Sequence, residues 1–248
     1  MKGSKGRAWR AMLILVVLLG SLPVVAWGAP KVPEKLVYNL SWTGIDVGTA
    51  TQEITDVGPL RRIVSTARSN DWLSVFYPVE DRIESTVAPD KGPFPGQSLR
   101  YRMQMREGNR RRDRELVFER DKGMALYIDH LGNERKEVPI SPETFDVYAS
   151  SYYVRHLPLE VGKPVSVSIL DGKETRTVQI QVLRKEKINT ILGKVETIVI
   201  KPLVPSKGVF EGKGEVTIWL TDDERRIPVR AKTKVTVGSV TAELIEMQ

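Results

Sequence analysis

The chain has 248 residues, with 38 Lys and Arg against 31 Asp and Glu, two histidines, no cysteine and 41% apolar residues. That length suits one large all-β domain or two small ones, with ample apolar content for a core. Without cysteine there is no disulfide framework, thiolate nucleophile, zinc finger or acylated lipoprotein cysteine. With only His130 and His156 a multi-histidine metal centre is also excluded, so neither metal nor cofactor is expected.

Residues 1–10 carry Lys2, Lys5, Arg7 and Arg10 with no acid, and Ala11 to Val25 is apolar apart from Gly20, Ser21 and Pro23. Ala26-Trp27-Gly28 then supplies small residues at the −3 and −1 positions of a peptidase site. This reads as a signal peptide, residues 1–28, cleaved after Gly28, with residues 29–248 exported to the periplasm as a single β-rich domain. Removing the segment takes four cations and no acid, which lowers the net charge from +7 to +3. Much of the basicity is therefore an export signal rather than a nucleic-acid footprint.

From Lys35 onward the dominant period is two. Leu36, Tyr38, Leu40 and Trp42 share one face, as do Leu99, Tyr101, Met103 and Met105, then Val178, Ile180 and Val182, and finally Val229, Ala231, Thr233 and Val235. Turn residues cut the chain at Thr43-Gly44, Gly58-Pro59, Gly92-Pro93, Gly108-Asn109, Gly132-Asn133, Asp171-Gly172 and Asp222-Asp223, with Asp171-Gly172 the strongest hairpin signal. Strands of ten residues span about 33 Å, and long twisted strands in such number rarely stay flat. The expected fold is mainly β: one large, strongly curved antiparallel sheet, a half-barrel or barrel.

Two segments break the pattern. Asn70-Asp71 can cap a short helix holding Trp72, Leu73, Phe76 and Tyr77 before Pro78. Ser141-Pro142-Glu143 reads as the start of a helix that runs to Leu157-Pro158 and places Phe145, Tyr148, Ala149, Tyr152 and His156 on one face. Both aromatic helices are expected to pack on or cap the concave side of the sheet. Trp72, Phe76, Tyr77, Phe145, Tyr148 and Tyr152 are thus the candidates for an apolar pocket or its lid.

In the hairpin from Leu99 to Arg120, a tip at Gly108-Asn109 sets Arg106 against Arg111, Met105 against Arg112 and Tyr101 against Leu116. The tip gathers Arg106, Arg110, Arg111 and Arg112, which are candidates for binding anionic headgroups because guanidinium groups take phosphate oxygens two at a time. Other polar clusters read as structural. Gly44 and Gly48 serve backbone geometry, Asp81-Arg82 with Glu84 suggests cross-strand ion pairing, and Asp222-Asp223-Glu224 is a turn. There is no Gly-x-Ser-x-Gly elbow, so a hydrolase would have to rest on His156, which at a helix C-terminus is more simply a dipole partner.

Three stretches carry a family resemblance: Trp42 to Ala50, Ser69-Asn70-Asp71-Trp72-Leu73 continuing to Ser85, and Ile218-Trp219-Leu220 continuing to Val229. They resemble the exported proteobacterial family called domain of unknown function 3108. The resemblance implies a periplasmic or cell-envelope β-rich protein and no particular activity. The expected architecture is more loosely similar to Lol-type lipoprotein carriers, a likeness of fold alone. The functional expectation is a non-catalytic protein that binds or chaperones an apolar or amphipathic envelope component such as a lipid, lipoprotein or lipopolysaccharide. Peripheral contact with an anionic membrane surface fits the arginine tip, and nucleic acid is not expected. The alternatives are a module scaffolding an envelope protein complex through a sheet edge, and a hydrolase.

Overall fold

The computed structural model describes residues 31–203, 215–235 and 237–248. The signal-peptide expectation falls in residues 1–28, outside this range. The described residues form fourteen strands and two short helices. In chain order these are β1 (Glu34–Trp42), β2 (Ile45–Val57), β3 (Leu60–Ser69), α1 (Asp71–Ser74), β4 (Val79–Ala88), β5 (Gln97–Glu107), β6 (Arg110–Glu119), β7 (Met124–Asp129) and β8 (Glu134–Pro139). There follow α2 (Val147–Val154), β9 (Val165–Asp171), β10 (Glu174–Thr190), β11 (Gly193–Leu203), β12 (Val216–Thr221), β13 (Pro228–Lys234) and β14 (Ser239–Met247).

All fourteen strands belong to one antiparallel sheet in which β1 to β8 and β9 to β14 are two meanders joined side by side where β1 pairs with β14. The strand order leaves β8 at one edge and β9 at the other. The connection between those edges, residues 140–164, carries α2 through the concave interior. Its core neighbours include Ile54, Ile63 and Val87 from one meander and Val167, Ile180, Ile198 and Leu220 from the other, together with Phe145, Ala149 and Tyr152. Strands far apart in the sheet order can meet around one helix only if the sheet curls about it.

The edges approach but do not form a backbone ladder. Thr175 donates from its hydroxyl to the Pro139 carbonyl at 2.8 Å, and Lys173 pairs with Glu134 at 2.5 Å. The free side of β9 is covered instead by the connection: Phe145 N–H donates to Ser168 O and Leu170 N–H donates to Phe145 O. This use of the Phe145 backbone corrects the expected helix start. Phe145 cannot be helical while its backbone pairs with an edge strand, so α2 begins after Asp146, whose carboxylate accepts from Tyr148 and Ala149 N–H as the N-cap.

The hairpin register matches expectation residue for residue, with Arg106 opposite Arg111, Met105 opposite Arg112 and Tyr101 opposite Leu116. The Asp171-Gly172 hairpin forms one residue further on. Asp171 pairs with Glu174, so Gly172 and Lys173 are the turn centre, and Gly172 alone adopts positive φ, as a type II′ turn requires. At Gly48 the reason for glycine is close approach, since a Cβ there would lie 2.2 Å from the Arg68 carbonyl oxygen.

Candidate functional site

The six aromatic candidates divide between two places. Phe145 and Tyr152 are buried beneath the sheet, and Tyr148 bridges two core clusters. Phe145 stacks on Tyr153 with centroids 4.6 Å apart, and Phe94 packs at 6.2 Å from Tyr152, so aromatic side chains pack against one another around α2. Trp72, Phe76 and Tyr77 stand on or just after α1, a single turn with no buried residue, at the end of the sheet where β3 passes to β4. The two groups do not share a pocket wall.

Buried polar groups hold α2 in place. Asp146 is fully buried, and beyond the two cap bonds its other oxygen accepts the hydroxyls of Ser85 at 2.7 Å and Ser98 at 2.6 Å. Burial pushes its carboxyl above the usual range despite these donors. At the other end of α2, Arg155 makes a bidentate pair with Glu34 at 2.7 and 2.8 Å and donates to the Arg225 carbonyl at 2.9 Å. Neither cluster opens to solvent, so both are structural.

His156 follows directly. Its Nε2 is buried with no hydrogen-bond partner, its ring lies 4.5 Å from Phe94, and burial with Arg155 alongside lowers its pKa. The Ser150 and Ser151 hydroxyls donate to the Val147 and Tyr148 carbonyls, not to this imidazole. His130 instead meets Glu115 at 2.8 Å. No His, Asp and Glu cluster among the described residues has metal-binding geometry. Asp223 caps the turn through the Arg225 and Arg226 N–H groups, as the sequence suggests. Arg82 and Glu84, expected to pair across strands, pair along one strand at 3.0 Å, because residues two apart share a face.

The outer wall of β4 and β5 forms an open cleft lined by Arg82, Glu84, Thr86, Arg100, Arg102 and Gln104. Its guanidinium groups are engaged: Arg102 is bidentate to Asp113 and Arg100 meets Glu115 at 2.7 Å. The hairpin tip above it differs. Arg106, Arg110 and Arg111 are exposed and Arg112 is half-buried, and among the described residues none of the four guanidinium groups is ion-paired, although the Asp81 carboxylate accepts the Arg106 backbone N–H at 3.0 Å. Arg111 donates only to the Gly108 and Arg110 carbonyls.

The tip is also where α1 comes to rest. Gly108 N–H donates to the Pro78 carbonyl at 2.8 Å, and a Cβ on Gly108 would lie 2.7 Å from the Tyr77 ring. Tyr77, next in the chain to the exposed Phe76, therefore stands against the arginine hairpin although about thirty residues separate them in the sequence. No local sequence signal marks this approach, since it depends on β4 and β5 pairing Val79 with Glu107.

The sequence matches the family described as "Protein of unknown function (DUF3108)" over residues 37–245. The chain belongs to that family. No curated protein matches. Among solved structures, the fold resembles a β-barrel-like protein of the unknown-function family DUF1849 from Brucella abortus, at TM-score 0.57 and 8% identity, covering 89% of this chain and 99% of that one. The hypothetical protein CT021 from Chlamydia trachomatis gives TM-score 0.38 at 10% identity over 88% of each chain. The first of these supports a β-barrel-like architecture for this member of the DUF3108 family.

The sheet edges bear on the scaffold alternative. Strand β8 presents exposed Glu134, Arg135, Lys136 and Glu137 and ends at Pro139, while β9 is covered by the Phe145 segment. Charges and proline on an edge discourage the addition of another strand.

Proposed function

We propose that the protein is a non-catalytic component of the bacterial envelope that binds an amphipathic, anionic envelope molecule. The basic segment and apolar run of residues 1–25 support export. The observation that carries the binding reading is the joint surface of Arg106, Arg110, Arg111 and Arg112 with Trp72, Phe76 and Tyr77. It offers unpaired guanidinium groups to phosphate oxygens and exposed rings to an acyl or other apolar portion. The chaperone-like cavity beneath the helices gives way in this reading to an exposed site, because Phe145 and Tyr152 are core.

Replacing the four arginines with Gln and measuring co-sedimentation with vesicles containing phosphatidylglycerol at low salt tests the proposal. Each basic side chain near an anionic surface is worth about 1 kcal/mol, so affinity should fall roughly a thousandfold. Raising the ionic strength of the wild-type sample should have the same direction of effect. Unchanged binding by the quadruple variant refutes the assignment.

A further inference from the structure

The exposed aromatics are part of a larger arc. Tracing hydrogen bonds along this end of the sheet, Trp42 Nε1 donates to the Val237 carbonyl at 2.8 Å, and Thr43 N–H donates to the Ser239 carbonyl at 2.8 Å. Next along the arc, Asn70 Nδ2 and Trp72 Nε1 both donate to the Asp46 carbonyl at 3.2 Å, and Asn70 N–H reaches the Val47 carbonyl. The Pro78–Gly108 bond then joins α1 to the arginine hairpin. Four connections, β13–β14, β1–β2, β3–β4 and β5–β6, are thus fastened side by side at one end of the curled sheet.

That arc carries Trp42, Ile45, Trp72, Val75, Phe76 and Val237, all exposed, with Phe76 at 81% and Val75 at 76% the most exposed large apolar side chains among the described residues. Isolated exposed apolar residues need no explanation, but a contiguous set fixed on one end does. Both indole N–H groups are already satisfied by backbone carbonyls, so these rings can leave water without stranding a donor. Across the arc Arg68, Arg106, Arg110, Arg111, Arg112 and Lys234 stand against Asp46, Asp71, Glu80, Asp81 and Glu107, with Glu80 opposite Arg106 in the ladder, so the cationic excess is confined to the hairpin tip at Arg110, Arg111 and Arg112.

We propose that this end of the curled sheet is a docking face for an anionic phospholipid bilayer. Phe76 and Val75 enter the acyl boundary, Trp42 and Trp72 lie at headgroup depth, and the arginine tip meets lipid phosphates. A bilayer is favoured over a single bound lipid because the apolar side chains project along an arc rather than converging on a cavity. No described helix is long and apolar enough to cross a membrane, and the outer wall of β4 and β5 is charged, so the contact is peripheral. This inference rests on the amphipathic-anion reading above and specifies its partner.

The test uses vesicles of three parts phosphatidylcholine to one part phosphatidylglycerol whose acyl chains are brominated. Docking predicts quenching of tryptophan fluorescence that is reduced in Trp72→Phe, and at least a roughly tenfold loss of vesicle affinity in Phe76→Asp, whose site is too exposed to disturb the fold. An unchanged thermal midpoint for Phe76→Asp confirms that the loss is not unfolding. If the wild type binds these vesicles but is not quenched and Phe76→Asp binds equally well, headgroups are held without docking, and this inference falls while the binding reading stands. If the wild type binds neither these vesicles nor ones of pure phosphatidylglycerol, both fall.

Discussion

Arg155 ties the end of α2 to β1 across 121 positions of sequence, and breaking that tie should be costly in a way that discriminates between explanations. Its side chain and that of Glu34 are 3% and 8% exposed, and the pair is bidentate at 2.7 and 2.8 Å, with the Arg225 carbonyl and the Tyr152 ring, 5.1 Å from the guanidinium carbon, completing the surroundings. Arg155→Met leaves a buried carboxylate with no cation, which typically costs about 3–5 kcal/mol. For a domain of this size each kcal/mol moves the thermal midpoint by about 2–4 °C, so a drop of roughly 6–20 °C is expected. Urea unfolding followed by far-ultraviolet circular dichroism supplies the free energy. The paired variant Glu34→Leu with Arg155→Met removes both charges and should recover most of the loss, because replacing a buried pair by apolar side chains is often near neutral. A loss below about 1 kcal/mol for Arg155→Met, or a double variant as unstable as the two single effects added, would refute the reasoning.

The other buried groups give pH-dependent expectations. The Asp146 carboxyl has a folded pKa above its ordinary 3.8, so its contribution is fully present below that value and is lost as pH rises through the folded pKa. Asp146→Asn should flatten that part of the stability curve measured by urea titration at several pH values. His156 has a folded pKa below 6.5, so its contribution is present above 6.5 and disappears as pH falls through the folded value. His156→Phe should reduce the acid sensitivity in that window, and an identical pH profile would contradict the burial assigned to the ring. Gly48→Ala places a methyl group 2.2 Å from the Arg68 carbonyl oxygen and should lower the unfolding free energy measured by urea titration by about 1–3 kcal/mol, the usual range for forced overpacking.

Period-two alternation, turn residues and the like-sign opposition at the β5–β6 tip are local properties, and the sequence shows them directly. A strand's facing and a hairpin's register follow from spacing alone, which is why Arg106 opposite Arg111 is legible before any coordinates. Family membership is legible for the same reason, in contiguous stretches around Trp42, Trp72 and Trp219.

Long-range pairing decided the rest. Ser141-Pro142-Glu143 has good helix-starting chemistry, yet edge pairing of Phe145 with β9 takes its backbone groups and moves the start to Asp146. The aromatics look equivalent in sequence, but Phe145 and Tyr152 go to the core with α2 while Trp72 and Phe76 remain in water. Their juxtaposition with the arginine tip and with Val237 depends on β1 accepting β14 on one side and β2 on the other. A chain with two apolar helical segments cannot state which one the sheet will wrap. That choice belongs to the crossover from β8 to β9, which must carry one helix through the interior and leaves the other at the end of the curled sheet.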